Sequence, residues 1–179
     1  MPPDGDWHIW LFLGGRGSGK TRAGAQWIAE GIARGRYSRV ALIGATHNDA
    51  RQVMIEGESG LLRVAPAARY EPSNNRVLWP CGAMAIVLSA EEPDSIRGHQ
   101  FEAAWGDEFA KWNNAQAALD MALMSLRLGK NPQLALTSTP RNIAVLKTLL
   151  EDKTVARTQS TTRENEANLA PGFLAAMQS

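Results

Sequence analysis

Short apolar runs alternate along the chain with segments in which apolar residues recur every three or four positions. The first run covers residues 7–13 (WHIWLFL) and ends at two glycines, which is typical of a buried strand. Residues 20–34 carry apolar side chains at helical spacing, so a helix is predicted directly after it. The same patterns predict strands at residues 40–45, 101–106 and 134–138, a β-hairpin of residues 76–79 and 83–88, and helices beginning at Thr46 and covering residues 115–128 and 143–150.

Strands that alternate with helices of this length favour a mostly parallel sheet covered by helices on both faces. With 179 residues, the chain is expected to form one α/β domain to which the small β-hairpin is added. The predicted domain covers residues 1–157. Residues 158–179 are polar and reach Pro171 and Gly172, so they are predicted to form a linker.

Composition limits the kinds of partner and the cellular location expected for the chain. Nineteen Lys and Arg residues face eighteen Asp and Glu residues, a net charge of +1, and a protein that coats nucleic acid is normally more basic. If DNA is a partner, its contact must therefore be local or shared among several subunits. No apolar run is long enough to cross a membrane. The single cysteine, Cys81, excludes an internal disulfide framework and favours a reducing, cytoplasmic location.

A phosphate-binding motif is the strongest chemical signal in the sequence. Residues 14–21 match G-x-x-x-x-G-K-[ST] between a predicted strand and a predicted helix, and no G-x-G-x-x-G frame fits their glycines. Glycines let the backbone amides face phosphate oxygens, and the helix N-terminus adds positive charge. Lys20 is expected to neutralise the phosphates of ATP, and Thr21 to ligate Mg²⁺. The predicted nucleotide-binding residues are Gly14, Gly15, Arg16, Gly17, Ser18, Gly19, Lys20 and Thr21.

Asp107 and Glu108 follow the predicted strand at residues 101–106. ATP hydrolysis needs an acid that holds the metal and a group that positions the attacking water. Asp107 is expected to anchor Mg²⁺ through its water shell, and Glu108 to act as general base. The alternative is an acidic loop that merely solvates a turn, because Gly106 and two alanines form a poor strand.

Three hydroxyl residues, Thr137, Ser138 and Thr139, end the predicted strand at residues 134–138. The carboxyl ends of strands are where an open α/β sheet binds ligands. Thr137 or Ser138 is therefore a candidate sensor of the γ-phosphate. The alternative is an ordinary end of a strand, since Ser or Thr followed by Pro commonly forms a turn.

Five segments resemble, in order along nearly the whole chain, the large terminase subunits of tailed phages and gene-transfer-agent-like particles. They are GGRGSGKTRAG, ATHNDARQVMIEGESGLL, SIRGHQFEAAWGDEFAKW, LALTSTPR and TTRENEANLAPGFL. The first resembles the family's Arg-containing Walker A motif, the third its Walker B motif and the fourth its coupling motif. The resemblance implies a P-loop NTPase fold of the RecA-like (ASCE) type.

The same resemblance implies a function and partners. It implies an ATPase motor that threads double-stranded DNA into a procapsid, acting as a ring of identical subunits on the portal. The small terminase subunit is a further implied partner, and the implied location is the cytoplasm of a bacterial host that carries a prophage or gene-transfer-agent-like element.

Residue roles follow from the resemblance position by position. It implies catalytic roles for Lys20, Glu108 and Arg16, metal binding by Thr21 and Asp107, and coupling of phosphate release to movement by Thr137, Ser138 and Thr139. Arg16 matches an arginine thought to stabilise transition-state charge within its own subunit. Such a placement is electrostatically sensible, because a γ-phosphoryl group in transit spreads negative charge over its oxygens.

The sequence departs from the family's pattern at both ends. Only thirteen residues precede Gly14, so we expect the upstream adenine-binding segment to be missing or minimal. The chain ends where a nuclease domain is expected, so no DNA cleavage is predicted for it. Three other functions are weighed against the motor: a helicase-like DNA-dependent ATPase, a small-molecule kinase, and a non-hydrolysing nucleotide-binding remnant.

Overall fold

A single eight-stranded sheet forms the centre of the computed structural model, which describes residues 1–161. Its strands, in chain order, are β1 Ile9–Gly14, β2 Arg39–Gly44, β3 Arg69–Glu71, β4 Arg76–Leu78, β5 Met84–Ser89, β6 Ala103–Gly106, β7 Gln133–Ser138 and β8 Ala156–Ser160. Across the sheet they lie in the order β3-β4-β5-β2-β6-β7-β1-β8. In this spatial order, every pair of neighbouring strands from β5 to β8 is parallel. The pairs β3–β4 and β4–β5, at one edge of the sheet, are antiparallel.

Helices cover both faces of this sheet. They are α1 Lys20–Ala33, α2 His47–Asp49, α3 Leu61–Val64, α4 Pro93–Ile96, α5 Ala115–Ser125 and α6 Ala144–Glu151. Helix α2 continues directly into a π-helical turn, Ala50–Ile55. One core packs α1 on the sheet through Trp10, Trp27 and Tyr37, and the opposite core contains the buried residues of α5 and α6. No helix within residues 1–161 combines the length and apolarity that a membrane crossing requires.

The predicted α/β class, the parallel sheet with helices on both faces, and the hairpin are confirmed. The hairpin is formed by β4 and β5, with Arg76 opposite Ile86. It is part of the central sheet, because β5 also pairs with β2. Strand β3 and the short helices α3 and α4 were not predicted, since each has only three or four residues and shows no periodicity.

Helix α5 ends three residues earlier than predicted, at Ser125. The Phe101 amide donates to the carbonyl of Ser125 at 2.8 Å, and the Leu128 amide donates to the carbonyl of Phe101 at 3.1 Å. The amides of Leu126 and Arg127 still donate to Leu123 and Ser125 of the helix, whereas that of Leu128 donates to the distant Phe101. This contact is tertiary, so the helical spacing of the sequence did not indicate it.

The predicted domain boundary between residues 157 and 158 is wrong, because it falls inside β8. This strand pairs with β1 so that Thr158 lies beside Phe12. The Trp10 indole N–H also donates to the Thr158 hydroxyl at 2.9 Å. Strand β8 lies at the edge of the sheet and consists of ARTQS, a polar composition that a linker would share. Residues 162–179 of the predicted linker lie outside the described part of the chain.

Replacing Thr158 with Val tests whether β8 is part of the folded domain. Trp10 is fully buried, so the Thr158→Val substitution leaves its indole N–H without a partner, at a cost of about 1–3 kcal/mol. We expect urea denaturation to show that loss for Thr158→Val and a stability close to that of the unsubstituted chain for Thr158→Ser, which keeps the hydroxyl. Equal stabilities for the two variants would contradict the contact.

Candidate functional site

The phosphate-binding motif forms the loop between β1 and α1. Gly17 and Gly19 have φ angles of 76° and 85°, a left-handed conformation that favours glycine. The loop delivers the chain to the N-terminus of the 14-residue helix α1, whose first amides have no partner within the helix. Such an end attracts anions. Arg16 is exposed on the same loop.

Lys20 connects the loop to the end of β6. Its side chain is buried, and its ammonium donates to the carbonyl of Gly15 at 3.3 Å. The same nitrogen lies 3.1 Å from Glu108 Oε1. The two segments are 88 residues apart in sequence, and they meet because the carboxyl ends of parallel strands share one edge of the sheet.

Glu108 is held in an unusual backbone conformation. Its φ of 49° lies in the left-handed region, which costs a non-glycine residue on the order of 1 kcal/mol and is concentrated at functional sites. Its second oxygen, Oε2, accepts hydrogen bonds from the Thr139 hydroxyl at 3.1 Å and the Thr139 amide at 3.4 Å. Burial raises the pKa of Glu108, but attraction to Lys20 and the hydrogen bond from it outweigh burial, so the pKa lies below its usual value.

The pKa of Asp107 is shifted in the opposite direction, upward. Its side chain is buried, and its Oδ1 accepts hydrogen bonds from the hydroxyls of Thr137 at 2.6 Å and Thr21 at 3.4 Å. Burial raises the pKa of this carboxyl to about 6, although Thr137, Lys20 and Thr21 all act to lower it. The two neighbouring acids therefore differ. The surroundings of Glu108 stabilise its ionised form, whereas burial destabilises the ionised form of Asp107.

Thr21 and Asp107 fit a magnesium ion. Their oxygens are 3.4 Å apart, and adjacent octahedral ligands at 2.1 Å from Mg²⁺ are separated by about 3 Å. Among residues 1–161 no group of three or more His, Cys, Asp or Glu residues could hold a metal. Mg²⁺ does not need such a group, because it is usually held by one or two carboxylates together with substrate phosphates and water.

The three hydroxyl residues at the end of β7 occupy different environments. Thr137 and Ser138 are fully buried, and Ser138 Oγ accepts a hydrogen bond from the Ala110 amide at 2.9 Å. Thr139 is partly exposed and contacts Glu108. Thr139 is therefore the most exposed of the three and lies beside Glu108, whereas the candidate sensors Thr137 and Ser138 are shielded from solvent.

A cavity of about 1060 Å³ lies against the phosphate loop. Its wall includes Gly17–Thr21 of the loop and first turn of α1, together with Gln52 and Val53 of the π-helical turn and Ser59. Val53 is a large apolar side chain with 41% of its surface exposed. The sequence did not indicate that these residues line a cavity beside the loop, because their place there depends on how the π-helical turn packs.

Trp105 is a second contributor that the sequence did not identify. Trp105 is fully buried in β6. Its indole N–H donates to Thr137 Oγ1 at 3.1 Å, which connects it to Asp107. The only signal in the sequence was its position, two residues before the acid pair.

Comparison with known proteins identifies relatives for both the sequence and the fold. The family model described as terminase large subunit, T4likevirus-type, N-terminal, matches residues 11–176. No curated protein sequence matches the chain at a significant level.

Solved structures of phage terminases share the fold. The large terminase of the thermophilic bacteriophage D6E superposes with a TM-score of 0.76 at 16% identity, covering 97% of this chain and 45% of that chain. A second D6E structure, in complex with ADP, gives a TM-score of 0.73 at 16% identity, covering 97% and 44%. The ATPase domain of the Thermus phage P74-26 large terminase gives 0.66 at 17% identity, covering 93% and 81%. The chain thus has the P-loop NTPase fold of terminase ATPase domains and spans less than half of the D6E protein.

Amide substitutions at the two acids are expected to change stability in opposite directions. Because the pKa of Asp107 is raised from 3.8 to about 6, the folded state loses stability as pH rises through that interval, and the cost at neutral pH is at most roughly 3 kcal/mol. Glu108 has a lowered pKa, so its stabilising effect is fully present above 4.5 and is lost as pH falls through the folded-state value. At pH 7.5 without divalent metal, we expect Asp107→Asn to raise the free energy of unfolding and Glu108→Gln to lower it.

The gain for Asp107→Asn should shrink at pH 5, where the folded state retains the proton. Urea denaturation at both pH values measures these differences. A loss of stability for Asp107→Asn at pH 7.5 would contradict the assignment of a strained, buried charge at this position.

Proposed function

The chain belongs to the terminase large subunit family, in its T4likevirus-type N-terminal region, and we propose that it is an ATP-hydrolysing motor domain. One observation supports the proposal above all: Lys20 lies 3.1 Å from Glu108, and Thr21 lies 3.4 Å from Asp107. The phosphate loop and the pair of acids are thus in direct contact, so a triphosphate and a metal ion bound to the loop would meet both carboxyl groups.

In this proposal the loop residues 14–21 and the N-terminus of α1 bind the phosphates of ATP. Relatives support the choice of nucleotide, since structures of the D6E terminase were solved with ADP and with ATP-gamma-S. Lys20 neutralises the terminal phosphates. Thr21 and Asp107 would hold Mg²⁺, which would supply positive charge to the phosphate oxygens.

Glu108 acts as the general base that orients and deprotonates the attacking water. Its lowered pKa keeps it ionised at neutral pH, as a base must be. The main attraction that lowers this pKa comes from Lys20. When the triphosphate competes for the Lys20 ammonium, the carboxylate of Glu108 is released toward the water and becomes more basic.

Arg16 and β7 complete the proposed mechanism. Arg16 stabilises the charge on the γ-phosphoryl group in the transition state, for which its exposed place on the phosphate loop is suitable. Thr139 contacts Glu108 and Thr137 contacts Asp107, so both acids are bonded to the end of β7. Through these contacts, phosphate release changes the position of β7, and Ser138 is held in the same segment by the Ala110 amide.

The motor acts on double-stranded DNA, which we propose it moves into a procapsid in the cytoplasm of a bacterial host. Its partners are the portal of the procapsid, the small terminase subunit and further copies of the same subunit in a ring. The net charge of +1 is consistent with a DNA contact that is divided among the subunits of such a ring.

Phosphate release from ATP tests the catalytic assignment. We expect Glu108→Gln to lower turnover by roughly 10²–10⁴-fold while ATP binding persists, because the phosphate loop is intact. We expect Lys20→Ala to lose both binding and turnover. The matched controls are Glu151→Gln and Lys147→Ala on the exposed side of α6, and both should match the unsubstituted chain. Negligible turnover by the unsubstituted chain and by every variant, although the unsubstituted chain binds ATP, would favour a non-hydrolysing nucleotide-binding protein.

The same assay with added nucleic acid separates the motor from a helicase-like ATPase. Linear duplex DNA is expected to stimulate turnover more than a single-stranded oligonucleotide of the same length and sequence. Stimulation by single strands alone would support the helicase-like alternative.

A further inference from the structure

Three buried groups form a hydrogen-bonded chain behind the metal-binding carboxylate. The Trp105 indole N–H donates to Thr137 Oγ1 at 3.1 Å, and Thr137 Oγ1 donates to Asp107 Oδ1 at 2.6 Å. Trp105 and Thr137 are fully buried, and Asp107 is 4% exposed. The chain is therefore shielded from water, so its bonds cannot easily be replaced by bonds to solvent.

The chemistry of the indole fixes the direction of this chain. An indole N–H can only donate, whereas a threonine hydroxyl can donate one proton and accept through its oxygen. Thr137 must therefore accept from Trp105, which leaves its own proton for Asp107. The competing acceptor is the carbonyl of Gly106, but it lies farther away, at 3.3 Å.

Helix α1 holds the indole in place. A Cβ atom added at Gly24 would lie 2.2 Å from Trp105 Cε2 and 2.3 Å from Nε1, so the helix backbone rests directly on the ring at the atom that donates. The same helix begins with Lys20 and Thr21. The helix that carries these phosphate-binding residues therefore also fixes the orientation of the indole.

Both hydroxyls that contact the Asp107 side chain within residues 1–161 reach the same oxygen, Oδ1. This arrangement fixes the rotation of the carboxyl group and, with it, the positions of both carboxyl oxygens relative to Thr21. Partners that orient a metal ligand in this way commonly contribute 10–100-fold to metal affinity.

We infer that Trp105 is a positioning residue for the metal site: its indole N–H directs the Thr137 proton to Asp107 and so orients that carboxylate toward Mg²⁺. This inference rests on the proposed function, since it assumes that Asp107 holds the metal. Trp105 itself touches neither nucleotide nor metal.

Mg²⁺-dependent binding of a fluorescent, non-hydrolysable ATP analogue tests the inference without requiring turnover. We expect Thr137→Val to raise the Mg²⁺ concentration for half-maximal binding roughly 10–100-fold. Trp105→Phe keeps a smaller aromatic ring but removes the N–H, and should shift this concentration in the same direction by a smaller factor. Thr137→Ser keeps the hydroxyl and should behave like the unsubstituted chain.

Trp10→Phe is the matched control. Trp10 is also fully buried and also donates its indole N–H to a threonine hydroxyl, that of Thr158 at 2.9 Å, but it has no contact with Asp107. It should lose stability as Trp105→Phe does and leave the Mg²⁺ dependence unchanged. An equal Mg²⁺ dependence of Trp105→Phe and Trp10→Phe overturns the inference.

Two further measurements separate positioning from packing. In the double variant Trp105→Phe/Thr137→Val, the shift in Mg²⁺ dependence should equal that of Thr137→Val alone, because both changes interrupt the same chain of hydrogen bonds. Additive shifts of the two single variants would contradict the inference. The nuclear magnetic resonance signal of the Trp105 indole proton should move in Thr137→Val and stay in place in Thr137→Ser. If Trp105→Phe fails to fold, the two Thr137 variants still decide whether the hydroxyl matters.

The outcomes also distinguish the inference from the proposed function. Analogue binding by the unsubstituted chain that shows no Mg²⁺ dependence overturns the metal site and the inference with it. Mg²⁺-dependent binding that is unaffected by Thr137→Val and Trp105→Phe overturns the inference alone.

Discussion

The contact between Lys20 and Glu108, at 3.1 Å, is the interaction on which the whole site depends. It joins the loop after β1 to the turn after β6, although β7 lies between these two strands in the sheet. The contact is geometrically possible only because β1, β6 and β7 are parallel and end at one edge. The register that pairs Leu13 with Ser138 and Gly106 with Leu136 therefore determines whether the loop and the acids meet.

Two adjacent carboxyl groups acquire different properties at this edge. Asp107 points into the protein, where burial opposes its charge and two hydroxyls compensate only partly. Glu108 adopts a left-handed backbone conformation and reaches the ammonium of Lys20. A divalent cation would remove the electrostatic cost at Asp107, and a triphosphate would withdraw the cation that stabilises Glu108. The cost at Asp107 is relieved by the metal ion that the site is proposed to bind, so the destabilised carboxylate is consistent with function.

Local sequence was sufficient for the phosphate loop and the acid pair, because residues 14–21 and Asp107-Glu108 encode their chemistry by short spacing. It was not sufficient for β8, whose polar residues form a strand only because an unpaired edge of β1 lies beside them. It also could not give the direction of Thr137, because β7 is buried on both faces and its sequence therefore shows no alternation. Nor could it give the hydrogen bond of Trp105, which depends on Thr137 of β7 and on Gly24 of α1.

A crystal structure with a non-hydrolysable ATP analogue and Mg²⁺ is the most direct test of the central claim. The account predicts that the γ-phosphate takes the Lys20 ammonium from Glu108, and that one Mg²⁺ lies between the Thr21 hydroxyl and Asp107, directly or through water. It also predicts that a water molecule lies between Glu108 and the γ-phosphate. A complex in which the nucleotide binds elsewhere, or in which Asp107 and Glu108 face away from the metal, would contradict the account.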